Sequence, residues 1–130
     1  MNESNATTPI SEVVDGYFAM WNETNPTRRR EVIEATWTSD ASYVDPMFNA
    51  EGPDALDAMV ARVHEQFPGH RFRQTGPPVD FHNDRARWGW ELGRPGDNST
   101  VVSGVDFAVL APEGRLREVT GFFEQPNDDT

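Results

Sequence analysis

Residues 101–110 read Val-Val-Ser-Gly-Val-Asp-Phe-Ala-Val-Leu, and a second apolar run, Leu116–Glu124, follows after a turn that contains Pro112 and Gly114. Two runs rich in Val and Phe on either side of such a turn predict a long β-hairpin. Side chains alternate across a strand, so one face of the first run is shared by Val102, Gly104, Asp106, Ala108 and Leu110. The opposite face is shared by Val101, Val105, Phe107 and Val109. The first strand is therefore apolar on both sides.

Asp106 is a single carboxylate in the middle of one of these apolar faces. An ionised carboxylate without a partner is so costly to bury that the group usually binds a proton instead. A neutral carboxyl group in an apolar pocket is a hydrogen-bond donor at pH 7 and can take part in catalysis. The hairpin thus predicts a pocket around Asp106. The alternative is an ion pair with a buried arginine, for which Arg87 or Arg117 would serve.

Composition excludes several classes of function. The chain has 130 residues, which suits one domain with a sizeable core and is too short for two. Its formal net charge of −11 argues against nucleic acid and anionic membranes as partners, because both repel an acidic surface. The basic residues are all Arg, so lysine Schiff-base chemistry is excluded, and the absence of Cys excludes thiol catalysis and cysteine metal sites. With no signal-peptide pattern and no run near the ~20 apolar residues of a membrane span, we expect a cytoplasmic protein.

Three amphipathic helices are predicted from apolar residues at helical spacing. The first has Thr8 as its N-cap and Pro9 as its first residue. The second begins at Asn25-Pro26, and its Arg28–Arg30 run is predicted to be a solvated face. The third covers about Asp54–Phe67 and ends at Pro68-Gly69.

The remaining chain reads as strands: Ala41–Asp45, His70–Thr75, Val79–His82 and Arg85–Leu92, followed by the hairpin. This order predicts an α+β fold, a cone-shaped α+β barrel with three N-terminal helices in the concave face of a strongly bent mixed or antiparallel sheet. Glycines at 89, 104 and 121 ease the bending, and a cone of this size encloses a cavity. We predict one domain over residues 9–124, a disordered segment over 1–8 and a polar tail over 125–130. The outer sheet face is too apolar to be left in water, which predicts a homodimer through it.

Three motifs carry a resemblance to a known superfamily. Asp106 is followed by Gly114-Arg115 at the turn and by Gly121-Phe122-Phe123 in the last strand, while Tyr43-Val44-Asp45-Pro46 ends an earlier strand and Tyr17 lies on the first helix. From about Ile10 to Glu124 the chain resembles the nuclear transport factor 2-like superfamily, especially its SnoaL-like polyketide cyclase branch and the ketosteroid isomerases. The resemblance implies a cystatin-like fold. It also implies that Asp45 is the base, and that Tyr17 and a protonated Asp106 donate to an oxyanion.

Removal of a proton from the carbon next to a carbonyl group needs a base close to that carbon and hydrogen-bond donors close to the carbonyl oxygen. These three residues could supply the base and the donors. Each also has an ordinary interpretation: Tyr17 as a core tyrosine, Asp45 as a turn former before Pro46, and Asp106 as half of an ion pair. The wall of a cavity for a small apolar ligand is predicted to include Trp21, Met59, Val63, His64, His82, Trp88, Trp90, Val102, Val119 and Phe123.

The favoured function is a cofactor-independent isomerase or cyclase that transfers protons on a small apolar carbonyl compound. A dehydratase that uses His82 or His64 with an Asp, as the related scytalone dehydratase does, is the second enzyme hypothesis. The sequence is also compatible with a non-catalytic ligand-binding protein and with a protein-interaction module. No metal is predicted, because His64, His70 and His82 lack metal-ligand spacing.

Overall fold

The computed structural model describes residues 9–96 and 100–124, and within them the chain forms three helices and six strands. The helices are α1 (Ile10–Asn22), α2 (Pro26–Thr36) and α3 (Gly52–Gln66). The strands are β1 (Trp37–Val44), β2 (Asn49–Glu51), β3 (Arg71–His82), β4 (Arg85–Gly93), β5 (Val102–Leu110) and β6 (Leu116–Phe123). The predicted disordered segment 1–8 and polar tail 125–130 lie outside the described residues, and so do residues 97–99 between β4 and β5.

The strands form one mixed sheet in the order β2-β1-β6-β5-β4-β3. β1 and β6 are parallel, and the other neighbours are antiparallel. The sheet is open, with β2 and β3 as its edges. α1 packs against β3 near one edge, and α3 packs against β1 and β2 at the other, so the helices complete the cone that the open sheet leaves unfinished. The predicted α+β, cystatin-like fold is confirmed.

The predicted hairpin is β5 and β6, and its register places Asp106 opposite Gly121. On the other side of β5, Asp106 lies opposite Trp88 of β4. Burial alternates along β5 as the period of two predicts, with Gly104, Asp106, Ala108 and Leu110 buried. Gly114 in the connecting turn has φ 103°, a conformation that favours glycine.

Helix starts follow the proline positions, with one correction. Pro9 has φ −57° and ψ 144°, so it precedes α1, which begins at Ile10 rather than at Pro9 as predicted. Proline is favoured at the first helical position, but the extended ψ of Pro9 keeps it outside the helix, and Thr8, the predicted N-cap, lies outside the described residues. At α2 the prediction is confirmed: the Asn25 side chain accepts a hydrogen bond from the Arg28 N–H at 3.0 Å, and Pro26 is the first helical residue.

The middle residue of the arginine run is not solvated. Arg29 is buried, its Nε donates to Asp57 Oδ1 of α3 at 2.5 Å, and its Nη1 donates to the Glu23 carbonyl at 2.8 Å. The prediction of a solvated face holds for Arg28, which is exposed, and is wrong for Arg29. A buried guanidinium that is paired in this way ties α2 to α3 and to the end of α1.

β3 is one strand of 12 residues rather than the two predicted. Its pairing with β4 shifts between Thr75 and Asp80, where Gly76 (φ 77°) is followed by Pro77 and Pro78. The prolines lack N–H donors, so they interrupt the ladder without ending the strand, which lies at the sheet edge. Within the described residues, no helix has the length and apolar character needed to cross a membrane.

Candidate active site

A cavity of about 200 Å³ lies at one end of the sheet. It is bounded by α1, the end of α3, the C-terminal ends of β1, β4 and β6, and the N-terminal ends of β3 and β5. Nine of its lining residues are aromatic and two, Asp45 and Asp106, are acidic, while no Arg or His of the described ranges lines it. The cavity is therefore an apolar chamber with two carboxyl groups.

Asp106 is at the centre of β5 and is only 2% exposed. Its Oδ2 accepts a hydrogen bond from the Tyr17 hydroxyl at 2.7 Å, and its Oδ1 accepts one from Trp90 Nε1 at 3.1 Å. Burial raises the pKa of Asp106 from 3.8 to about 7, although the hydrogen bonds from Tyr17 and Trp90 oppose that rise. The carboxyl group is thus balanced between its neutral and charged forms near neutral pH.

The ion pair considered for Asp106 does not form. Arg87 Nη2 instead pairs with Asp80 at 3.1 Å, and Arg117 is exposed. Across residues 9–96 and 100–124, none of the ion pairs includes Asp106. The carboxyl group therefore depends on two neutral donors.

Trp90 decides which oxygen of Asp106 can carry a proton. An indole N–H can only donate, and the carbonyl oxygen of a neutral carboxyl group accepts better than its hydroxyl oxygen, so the contact with Trp90 favours Oδ1 as the carbonyl oxygen. A proton on Asp106 then belongs on Oδ2, from which it can be donated to the Tyr17 oxygen 2.7 Å away. In that state the Tyr17 O–H is free to turn to a molecule in the cavity. The neutral pair can therefore act as a donor through Tyr17.

Tyr17 and Tyr43 both hold their phenolic protons firmly. Burial, and after it the charge of Asp106, raise the pKa of each well above 10.0. The Tyr17 ring packs against Trp88 at 5.0 Å between centroids and against Trp37 at 5.9 Å, which fixes its position. Both hydroxyls are neutral donors at any physiological pH.

Asp45 forms a second tyrosine–aspartate pair. Its Oδ2 accepts a hydrogen bond from the Tyr43 hydroxyl at 2.5 Å, and its Oδ1 accepts from the backbone N–H groups of Met47 at 2.7 Å and Phe48 at 2.8 Å. The last two bonds form the turn that Pro46 predicted. Asp45 is half-buried and also lines the cavity, so it is a turn former and a candidate site residue at once. Sequence reasoning missed the role of Tyr43, although its position two residues before Asp45 was a usable signal.

The two tyrosine–aspartate pairs approach each other closely around Gly121. A Cβ atom at this position would lie 2.8 Å from Asp106 Oδ1 and 3.3 Å from both Asp45 Cβ and the Tyr43 hydroxyl oxygen. Both acids and Tyr43 therefore pack against Gly121, and any larger residue at this position would collide with Asp106.

Five residues of the predicted wall line the cavity: Trp21, Val63, Trp90, Val102 and Phe123. Met59, Trp88 and Val119 do not, because they are buried in the core below it. The sequence correctly predicted which faces of the helices and strands point inwards, but the cavity lies only at the ends of these elements. Val101, expected on the outer face, lies just before β5 and lines the cavity as well.

Neither predicted histidine reaches the cavity. His64 Nε2 lies 2.7 Å from the Trp21 carbonyl oxygen and joins α3 to α1. His82 is exposed at the C-terminal end of β3, which lies at the opposite end of the sheet. The dehydratase hypothesis that depends on these histidines has no support in this geometry. Within the described part of the chain, no three His, Asp or Glu residues could hold a metal ion.

Comparison with known proteins identifies the family of this fold. A family model described as the SnoaL-like domain matches residues 14–119, and the chain belongs to that family. Comparison with curated protein sequences gives no match.

Solved structures agree with this assignment. A candidate isomerase of the SnoaL-like family from Agrobacterium tumefaciens is 35% identical, with a TM-score of 0.81 over 88% of this chain and 97% of that one. A candidate SnoaL-like polyketide cyclase from Jannaschia sp. is 21% identical, with a TM-score of 0.70 over 95% of this chain and 91% of its own. The second similarity shows the fold alone. The predicted resemblance to SnoaL-like proteins is confirmed.

Proposed function

We propose that this protein is a cofactor-independent acid–base enzyme of the isomerase or cyclase type. Its substrate would be a small apolar carbonyl compound, and its reaction would move a proton at the carbon next to the carbonyl. The observation that carries the proposal is Asp106: a buried carboxyl with a pKa raised to about 7 that faces an apolar cavity beside a tyrosine hydroxyl. Groups with such perturbed pKa values in a cavity are typical of catalytic sites.

In the proposed reaction, the Asp45 carboxylate removes a proton from the carbon next to the carbonyl. The C–H electrons form an enolate whose negative oxygen accepts a hydrogen bond from Tyr17. Neutral Asp106 supports Tyr17 through Oδ2. In a substrate with a C=C bond next to the enolate, Asp45 returns the proton to the far carbon of the dienolate and the double bond moves, which completes an isomerisation. In a substrate with a second carbonyl, the enolate carbon instead attacks that carbonyl carbon, whose oxygen takes the proton from Asp45, and the new C–C bond completes a cyclisation. In both reactions Asp45 ends as a carboxylate and Asp106 ends as a neutral acid, which are their starting forms.

The environment supports this division of roles. Asp45 has three donors around its carboxylate, whereas Asp106 has two and is more deeply buried. Donors placed in a water-excluded site stabilise developing charge more strongly than they would in water. At about 200 Å³ the cavity is smaller than the ~300–1,000 Å³ of pockets for drug-sized molecules, so the substrate has on the order of ten non-hydrogen atoms.

The test follows hydrogen–deuterium exchange at the carbons next to the carbonyl of cyclohexanone in D₂O by proton NMR. We expect wild-type protein to accelerate exchange. Asp45→Asn should lower the rate by about 10²–10⁴-fold, as loss of a general base does. Tyr17→Phe should lower it by about 10²–10³-fold, as loss of an oxyanion donor does. Asp15→Asn, the same change on the exposed face of α1, should leave the rate unchanged. Exchange at the buffer rate with wild-type protein would contradict the proposal.

We further propose that a second copy of the chain covers the outer sheet face. Phe107 and Phe122 are 43% and 53% exposed there, and their rings pack together at 5.8 Å. Exposed phenylalanines on the two central strands are typical of an interface between copies. Sedimentation should show a dimer for wild type and a monomer for Phe107→Glu, and a monomeric wild type would contradict this.

A further inference from the structure

Five aromatic rings form a continuous line along the cavity between the two acids. Their successive centroid distances are 5.7 Å from Tyr43 to Trp21, 4.9 Å to Phe72, 5.7 Å to Trp90 and 5.9 Å to Phe123. We call these five residues the aromatic wall. One end of the line, Tyr43, bonds Asp45, and Trp90 near the other end bonds Asp106. The faces of aromatic rings attract cations.

The charges in the cavity all have one sign. Two carboxyl groups line it, while the arginines of the described ranges lie outside its lining. Its two tyrosines hold their protons and contribute no compensating charge. The formal net charge of −11 adds a long-range attraction for cations and a repulsion of anions.

Both carboxyl groups retain capacity for a further donor. A carboxylate has about four acceptor positions. Hydrogen bonds from the described protein groups occupy three of these acceptor positions at Asp45 and two at Asp106. Both acids line the cavity, so a donor on a molecule bound in the cavity could reach them.

We propose that the cavity binds a small apolar amine in its cationic form, with the ammonium group between Asp45 and Asp106 and the hydrocarbon part against the aromatic wall. The carboxyl groups attract the charge, the ring faces stabilise it by cation–π contact, and the rest of the lining takes the apolar part. The proposed amine site lies in the same cavity as the proposed reaction, but binding of the amine does not depend on that reaction. A substrate with both a carbonyl and a basic nitrogen would satisfy both.

The experiment compares three probes with one ring and different charges: cyclohexylamine, cyclohexanol and cyclohexanecarboxylate. Titration calorimetry at pH 7 should show the ammonium ion binding about tenfold or more tighter than the neutral alcohol, as expected for a desolvated cation–π contact with a carboxylate nearby. The carboxylate should show no binding. Equal affinity for amine and alcohol, no binding of the amine, or tighter binding of the carboxylate would each overturn the proposal.

Variants separate the site from general attraction to an acidic protein. Asp45→Asn should lower the amine affinity by about tenfold and the alcohol affinity much less, so that the two affinities become similar. Asp15→Asn removes the same charge from the exposed face of α1 and should leave the tenfold preference intact. If Asp15→Asn reduces the preference as much as Asp45→Asn does, the binding is not in the cavity. Calorimetry measures binding without turnover. A protein that does not bind the amine could therefore still catalyse deuterium exchange, and a protein that does not catalyse exchange could still bind the amine.

Discussion

Replacing Asp106 by Asn should make the protein more stable above neutral pH. Burial raises the pKa of Asp106 from 3.8 to about 7, while the unfolded chain keeps the usual value. The folded state therefore holds this proton more tightly, so its contribution to stability is complete below about pH 4 and is lost as pH rises towards 7. At about 1.4 kcal/mol per pH unit, the full loss is about 4 kcal/mol, of which about 2.5 kcal/mol falls between pH 5 and pH 8.

Asparagine has nearly the shape of a neutral aspartic acid. Its carbonyl oxygen can accept the Trp90 N–H, and its amide can donate to the Tyr17 oxygen. The variant should therefore keep the hydrogen bonds and lose the dependence on pH that Asp106 causes. The remaining carboxyl groups titrate in both proteins, so their effects cancel in the difference.

The assay is urea unfolding of wild type and Asp106→Asn at half-unit steps from pH 5 to pH 8. The difference in the free energy of unfolding should change by about 2.5 kcal/mol in favour of the variant as pH rises. Parallel curves would refute the assignment of a raised pKa to Asp106. A change in the opposite direction would mean that the folded state stabilises the charged form, which would also remove the basis of the proposed mechanism.

Three further substitutions test separate contacts. Trp90→Phe should raise the pKa of Asp106 by about 0.7 pH unit, because a hydrogen bond to a charged group exceeds one to a neutral group by about 1 kcal/mol. Carbon-13 NMR titration measures this shift. Trp37→Phe should leave the pKa of Asp106 unchanged, because the buried Trp37 N–H has no partner in the described chain. Gly121→Ala should lower the free energy of unfolding by about 1–3 kcal/mol in urea unfolding, because its Cβ would lie 2.8 Å from Asp106 Oδ1. Arg29→Met should cost about 3 kcal/mol in the same assay by leaving Asp57 unpaired; a wild-type midpoint would show that the buried ion pair contributes nothing.

The sequence predicts the sheet better than it predicts the cavity. Alternation along residues 101–110 is a local property, so it correctly places Asp106 on the buried face. The same alternation puts Trp88 and Trp90 on one face without showing that only Trp90 reaches the cavity and bonds Asp106. That difference depends on where the cone opens, which is set by the packing of α1 and α3. Arg29 was mispredicted for a similar reason, since its partner Asp57 comes from a separate helix.

The two tyrosine–aspartate pairs differ in their surroundings, and the proposed mechanism gives them different tasks. Each carboxyl group accepts a hydrogen bond from a tyrosine hydroxyl, with an oxygen–oxygen distance of 2.7 Å in the Asp106 pair and 2.5 Å in the Asp45 pair. What differs is the rest of the surroundings: Asp45 ends a strand, so two backbone N–H groups of its turn are free to stabilise its charge. Asp106 lies inside a strand whose backbone N–H groups pair with the neighbouring strands. Burial therefore has the largest effect on its pKa, and among the described residues Trp90 is the one donor besides Tyr17. The position of each acid within or beyond a strand is therefore consistent with the proposed roles of Asp45 as the base and of Asp106 as the hydrogen-bond donor behind Tyr17.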